Sequence, residues 1–564
     1  MTRCRSTRNI AVDNRRLFLL GALAVVFFGL YQAWQLDYGP RPEPETAAPV
    51  AATGGGPPGA VPAPAATSGE AGIPAAGAPA SVAALPQGRE IHVRTDVLDL
   101  VINTAGGDIR RAELLKYPEE LKTPDQHVRV LDDRDPTLLV LQGGLQPEAG
   151  MPAPGTDAVY SAPKTDYALA EGADSVAVTL SWSDGHGLAM DKTYTLKRGS
   201  YQIGVSYAVH NTGTAAWTGG AWLQWQSRYT APKNGMFSST RYDYQRVAMH
   251  GPDGYKEFEF SKLADAPLSQ QADKGWIAVV EHYFLAAIIP ADGKDLYYSK
   301  ALGDGRFVTG SVTAEKSAAP GGSVSFDGTL FVGPKLQSQL AAVAPGLELT
   351  VDYGKLTIIA QPIFWLLQWI ERLIGNWGWS ILLLTVLIKA LTYKLNEISG
   401  RSMAKMRLIQ PRIKALQERY ADDRQRMSQA MMELYKKEKV NPASGCAPIA
   451  IQIPIFFALY YVLVYSVELR QAPWMLWIHD LSAPDPFYVL PVVYGAAMFI
   501  QTHLQPQPAD KTQAMMMKFM PLALLLFYMV LPSGLVLYYL ANSIISIAQQ
   551  RYINNLIARE SKKG

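Results

Sequence analysis

Lys389 is the one cation inside the apolar run Trp379-Ser-Ile-Leu-Leu-Leu-Thr-Val-Leu-Ile-Lys389-Ala-Leu-Thr-Tyr393. A charge at the centre of a bilayer-spanning helix costs roughly 2.5–3.5 kcal/mol even on the mildest scale. Such a residue either faces protein or water and serves a function, or carries its ammonium out to the headgroups on its long stem. Thr385, one helical turn away, shares its face. Elsewhere few residues bring chemistry. Cys4 and Cys446 are far apart with no clustered Cys or His, so neither a disulfide framework nor a zinc site is implied. His210 and His282 lie in strand patterns with no acidic partner that the sequence places, which makes them packed or surface residues rather than catalytic ones. No Gly-x-x-x-x-Gly-Lys-[Ser/Thr] phosphate loop occurs, so the chain is expected to use no nucleotide, and no cofactor or metal is called for.

The elements that must position Lys389 belong to a chain of two unlike halves. At 564 residues it exceeds one ordinary domain, and its 48% hydrophobic content averages polar and apolar regions. Arg3, Arg5, Arg8, Arg15 and Arg16 precede an apolar stretch, the charge pattern of a signal sequence. Trp34-Gln-Leu-Asp-Tyr38 is a poor cleavage site, so residues 1–16 read as a cytoplasmic N-terminus and 17–36 as an uncleaved transmembrane signal anchor. Residues 37–88 are an Ala/Pro/Gly-rich tether that can fill no core. From 89 to 353 the period becomes two: Ile203, Val205, Tyr207 and Val209 alternate with Gly204, Ser206 and Ala208, and Ser323 to Val332 alternates again. Trp276 to Ile289 is an apolar pair of candidate strands. Many short strands without long helical patterns predict an exported, all-β sandwich.

Residues 358–376 predict an amphipathic helix lying in the membrane interface, because Glu371 and Arg372 argue against a span. Spans follow at 377–395, 443–467, 488–504, 517–531 and 534–552, the last two divided by Pro532-Ser-Gly534. Residues 396–442 predict a cytoplasmic hairpin of two antiparallel amphipathic helices, broken and capped at Ala421-Asp-Asp423. Between Lys394 and Lys439 twelve basic residues face six acidic ones, which leaves a positive surface for a partner. Met403, Met406, Met427, Met431 and Met432 either zip the two arms together or offer an adaptable docking surface. Loop 468–487 lacks a basic excess and is placed outside, whereas loop 505–516 and tail 553–564 are placed inside. Six spans then put both termini in the cytoplasm.

On these motifs the chain resembles a YidC-type membrane protein insertase of the YidC/Oxa/Alb family, in its Gram-negative form with a large periplasmic domain. The resemblance runs through Gly375-Asn-Trp-Gly-Trp-Ser380, Ser402-Met-Ala-Lys-Met-Arg407, Lys439-Val-Asn-Pro442, Gln452-Ile-Pro454, Val467-Glu-Leu-Arg-Gln-Ala-Pro473, Trp477-Ile-His-Asp-Leu-Ser482 and Pro532-Ser-Gly-Leu-Val-Leu-Tyr-Tyr539. Asp191 to Tyr201 and Glu281-His-Tyr-Phe284 resemble the family's periplasmic β-supersandwich. The implied fold is a multi-domain membrane protein: that supersandwich, an α-helical bundle with five core transmembrane helices, and a cytoplasmic helical hairpin. The implied function is insertion and chaperoning of nascent inner-membrane proteins through a hydrophilic groove, alone or with the Sec translocon. Lys389 stands where the family commonly carries a groove arginine, a departure that keeps the charge but gives up the planar fork. Gln452, Tyr539 and Asn542 match other groove-side positions, with interhelical hydrogen bonding the plainer reading of Gln452 and Asn542. On the hairpin, Met403, Lys405, Met406, Arg407, Arg412, Arg426 and Met431 are the expected contacts for substrate or partner. The implied partners are nascent membrane proteins, the Sec translocon, the ribosome, the signal recognition receptor and membrane lipids.

Two other functions fit parts of the chain. A small-solute transporter also places a cation mid-membrane, but paired inverted halves are missing from the spans. A membrane-anchored periplasmic carbohydrate-modifying enzyme fits the sandwich alone and leaves the C-terminal spans unexplained.

Overall fold

A computed structural model describes residues 85–230, 244–291, 293–420, 423–438, 440, 447–504 and 511–560. The expected anchor at 17–36 and nearly all of the tether at 37–88 lie outside the described residues. Residues 90–334 form two almost wholly antiparallel sheets of 11 and 8 strands that share one core. In strand Gln202–Asn211 the side chains of Ile203, Val205, Tyr207 and Val209 are buried, and the alternating small residues face outward. Trp276–Val280 and Phe284–Pro290 pair with each other and lie inside their sheet, between Arg246–Gly251 and Ser323–Pro334. That interior position accounts for their unbroken apolar character. A charged group is sealed in the same domain. Arg110 Nη2 donates to Asp108 Oδ2 at 3.2 Å, and Lys192 Nζ donates to the Gly143 and Gly106 carbonyls at 2.9 and 3.2 Å.

The C-terminal half is helical: α1 (Thr357–Ile374), α2 (Trp377–Leu391), α3 (Tyr393–Leu408), α4 (Gln410–Arg419), α5 (Arg424–Lys437), α6 (Ala447–Tyr465), α7 (Val489–Leu504), α8 (Lys511–Tyr528) and α9 (Ser533–Glu560). Among the described residues no single helix is long and apolar enough to cross a membrane, although the pair α2 and α3 passes that test together across a 68° bend. α1 buries Ala360, Phe364, Leu367 and Ile370 and leaves Trp365, Trp369 and Leu373 exposed. Asn376 caps α2: its Oδ1 accepts from Trp379 N at 3.1 Å, while its Nδ2 reaches the Pro473 and Trp474 carbonyls, both at 3.2 Å.

Several boundaries differ from the expected ones. α2 stops at Leu391 instead of reaching 395, and at the bend Thr392 Oγ1 donates to the Ile388 carbonyl at 2.9 Å, competing with the backbone ladder. The first arm of the hairpin is two helices, because Pro411 near the start of α4 supplies no N–H to continue α3. The second arm begins where expected: Asp423 Oδ1 accepts from Gln425 N and Arg426 N. α8 starts at Lys511, inside the expected loop 505–516, and α9 continues to Glu560, through most of the expected tail. Ile553 and Ile557, four residues apart, explain the extension by burying against Ala404 of α3.

The sandwich and the helices meet through specific bonds. His282 Nε2 lies 2.8 Å from the Val464 carbonyl near the end of α6, with its ring between Tyr244, Tyr283 and Tyr465. Tyr353 Oη lies 3.3 Å from Ser466 Oγ. Arg470 and Gln471 donate to the Pro118 and Glu119 carbonyls at 2.9–3.2 Å. His282 is thus a packed residue, as expected. His210 is a surface residue whose Nε2 lies 3.7 Å from Asp191 Oδ2, an acidic neighbour that strand pairing supplies and the linear sequence hides.

Candidate functional site

Lys389 occupies the last turn of α2, half-buried, and its Nζ donates to Ser546 Oγ of α9 at 2.9 Å. Ser546 Oγ in turn donates to the Asn542 carbonyl at 2.7 Å. Both residues line a cavity of about 300 Å³ walled by α2, α3, α6, α7 and α9. Its wall is unusually rich in carboxamides: Asn396, Gln452, Gln501, Asn542, Gln549 and Gln550. Among the described residues no Asp or Glu lines it, so the ammonium faces no carboxylate. A lysine has three donors, and Ser546 takes one.

Three of the five expected groove residues, Lys389, Gln452 and Asn542, line this cavity. Gln452 also serves the plainer role, because its Nε2 donates to Tyr538 Oη at 2.7 Å and ties α6 to α9. Thr385 and Tyr539 are not among the lining residues. Thr385 is 1% exposed and donates to the Ile381 carbonyl of its own helix at 2.7 Å. Tyr539 is sunk among Phe456, Tyr528 and Tyr494, with ring centroids at 5.0, 5.3 and 5.9 Å. Adjacent helix positions point about 100° apart, which is why Tyr538 and not Tyr539 meets Gln452.

The hairpin residues divide by role. Met403 lines the cavity. Met406 and Met431 pack with Ile409, Ile413 and Tyr435, so these two do zip the arms together. Lys405 is exposed. Arg407 Nη2 donates to the His503 carbonyl at 3.2 Å, Arg412 pairs with Glu438 at 2.6 Å, and Arg426 pairs with Asp423 at 3.3 Å. Arg412 and Arg426 therefore spend part of their charge within the hairpin.

Sequence reasoning did not single out Asn396, Ser399, Gln501, Ser546, Gln549 or Gln550. The available signal was spacing: Asn396, Ser399 and Met403 recur at one face of α3, and Asn542, Ser546, Gln549 and Gln550 at one face of α9. The two helices come close at Gly400, where a Cβ would lie 2.7 Å from Ile553 and 3.2 Å from Gln550 Oε1. Beside that approach, the Ser399 hydroxyl and the Gln549 amide nitrogen are buried with no hydrogen-bond partner.

Comparison with known proteins covers nearly the whole chain. The family described as YidC periplasmic domain matches residues 90–366, and that described as 60Kd inner membrane protein matches 369–561. A membrane protein insertase YidC of Nitrosococcus oceani is 45% identical over 554 residues, covering 97% of this chain and 100% of the relative. That of Thioalkalivibrio sulfidiphilus is 43% identical over 567 residues, covering 98% and 100%. A solved structure of an active YidC insertase with its first transmembrane domain resolved is 20% identical and covers 83% of this chain and 94% of that one, with a TM-score of 0.38.

Proposed function

The chain belongs to the YidC family of membrane protein insertases, inner-membrane proteins with a periplasmic domain, and on that premise we propose that the cavity at Lys389 is the groove through which it inserts its substrates. One observation carries the reading: a half-buried ammonium, held by Ser546 alone among the described residues, inside a carboxamide wall with no carboxylate. The polar, often acidic outer segment of a nascent membrane protein gains a positive site and hydrogen-bonding groups there, which lowers the cost of carrying charge and backbone into hydrocarbon. The substrate's apolar helix then partitions sideways into lipid, and its burial drives the step.

Two features support the direction of entry. At the sandwich end the loop after α6 is tightly bonded: Asp485 accepts from Trp477 Nε1 at 3.0 Å and from Leu490 N at 2.7 Å, and Ser533 Oγ donates to the Asp480 carbonyl at 2.8 Å. At the other end Met403 and Asn396 of the basic hairpin reach the cavity wall. In this arrangement the sandwich end is periplasmic, both termini are cytoplasmic, and α2, α6, α7, α8 and α9 are the five core spans. At 1.5 Å per residue α2 and α7 extend only roughly 22 and 24 Å, short of a hydrocarbon layer of about 30 Å, so the bilayer thins around them. The exposed cations of the hairpin are the docking surface for the ribosome, the signal recognition receptor or the Sec translocon.

The test is insertion of a small acidic-tailed substrate into proteoliposomes. Lys389→Ala is expected to slow the initial rate about tenfold, the scale of one charge-assisted hydrogen bond. Equal rates for the variant and the wild type would remove the charge from the mechanism.

A further inference from the structure

We infer that the groove holds a second binding subsite, formed by Ser399 of α3 and Gln549 of α9, that hydrogen-bonds the peptide backbone of the chain being inserted. The inference rests on the groove reading of the Lys389 cavity and adds to it a reader of amide groups that is indifferent to charge.

The observation that points to a ligand is the pair of polar atoms left without partners. Ser399 is 2% exposed, yet its hydroxyl makes no hydrogen bond, although a helical serine ordinarily bonds to a carbonyl of the preceding turn. The Gln549 amide nitrogen is likewise buried and unpartnered. Both residues line the cavity. A buried donor without a partner costs about 1–3 kcal/mol, so two on one wall of an accessible cavity mark a place where a visiting group completes the set.

The chemistry of the two groups selects the visitor. An amide nitrogen donates, and a hydroxyl both donates and accepts. Together they match the N–H and C=O of one residue in an extended chain, which point to the same side: the carbonyl takes the amide hydrogen while the N–H reaches the hydroxyl. Neither carries charge, so the subsite does not distinguish an acidic segment from a neutral one. An unfolded segment entering a membrane has its backbone N–H and C=O groups unpaired, which is the large cost that any insertion route must offset.

Spacing supports a shared path with Lys389. Gln549 lies three residues beyond Ser546 on α9, roughly 4.5 Å along the helix axis. An extended chain advances roughly 3.3 Å per residue. A substrate carboxylate at Lys389 therefore leaves the N–H and C=O of a residue one or two positions away at Ser399 and Gln549. The close approach of α3 and α9 at Gly400, the neighbour of Ser399, brings the helices that carry the two groups together.

The experiment uses the full chain in proteoliposomes and two substrates that differ only in an acidic or a neutral outer segment. The double variant Ser399→Ala/Gln549→Met is expected to slow both substrates equally, by about fivefold, whereas Lys389→Ala slows only the acidic one. Ser399→Thr, which keeps the hydroxyl, is expected to retain most of the wild-type rate. Wild-type rates for both substrates in the double variant, with Lys389→Ala still impaired, overturn the subsite and leave the groove reading standing. Loss confined to the acidic substrate overturns it as well. If Lys389→Ala is also silent, the groove reading itself fails. Contact is checked without loss of side-chain volume by Ser399→Cys in a Cys4→Ser/Cys446→Ser background, paired with single cysteines along a stalled substrate. Disulfides are expected at one or two residues from the position that crosslinks to site 389, and their absence along the whole substrate overturns the subsite.

Discussion

Lys389 and Ser546 stand 157 residues apart in the chain and meet at 2.9 Å across two helices of the bundle. Ser546 holds the ammonium toward α9 while leaving two of its donors free for the cavity. Ser546→Val removes the tether and keeps the charge. Its insertion rate for an acidic-tailed substrate is expected to fall about threefold, less than with Lys389→Ala, because the charge itself remains. Initial rates measured side by side decide this; a loss as deep as that of Lys389→Ala would mean that the charge has no effect unless Ser546 holds it in place.

Gly378 has no room for a methyl group: a Cβ there would lie 2.1 Å from the Trp474 ring. Gly378→Ala is expected to push Trp474 aside and destabilise the start of α2 by ~2 kcal/mol. Thermal unfolding in detergent measures the loss. The double variant Gly378→Ala/Trp474→Ala should recover part of it, and no recovery would place the strain elsewhere.

The sealed charges of the sandwich make its stability depend on pH. Burial raises Asp108 from 3.8 to about 6, so between those values the folded state holds a proton that the unfolded chain has lost, and stability falls as pH rises. Burial lowers Lys192 from 10.5 to about 8, so above 8 the unfolded chain holds the extra proton and stability rises with pH. The pair therefore contributes least between pH 6 and 8. Urea unfolding followed through the buried Trp225 and Trp276 should show both slopes, and Asp108→Asn/Lys192→Met should flatten them. Unchanged slopes in the variant would assign the dependence to other groups.

His282 carries one of the sandwich's bonds to the helix bundle. His282→Ala leaves the Val464 carbonyl without that partner and is expected to cost about 2 kcal/mol. Differential calorimetry of the full chain should show a lowered transition, and an unchanged midpoint would mean that the bonds of Tyr353, Arg470 and Gln471 secure the joint without His282.

Much of this architecture was legible in the sequence because one face of each element must be buried. Ile203 to Val209 alternate as a strand facing a core on one side must, and the run before Lys389 is apolar where α2 packs on other helices and buries Ile381 and Leu384. The cavity at Lys389 was legible only in part. Lys389 stood out by contrast with its apolar neighbours, whereas Ser399, between Glu397 and Arg401, and Gln549 and Gln550, before Arg551, look like any solvated helix face. What makes them cavity residues is the return of α9 to α3 at Gly400, a contact between segments about 150 residues apart that no local pattern encodes. That Tyr538 and not Tyr539 meets Gln452 is hidden for a related reason: two adjacent tyrosines carry no sign of which one a distant glutamine will meet.

α6 has one end bonded to His282 and the other in the cavity wall, with Gln452 and Val464 separated by roughly 18 Å of helix. A pull on the sandwich therefore acts on the same helix that walls the cavity, so the domain that looks like a passenger has a direct line to it.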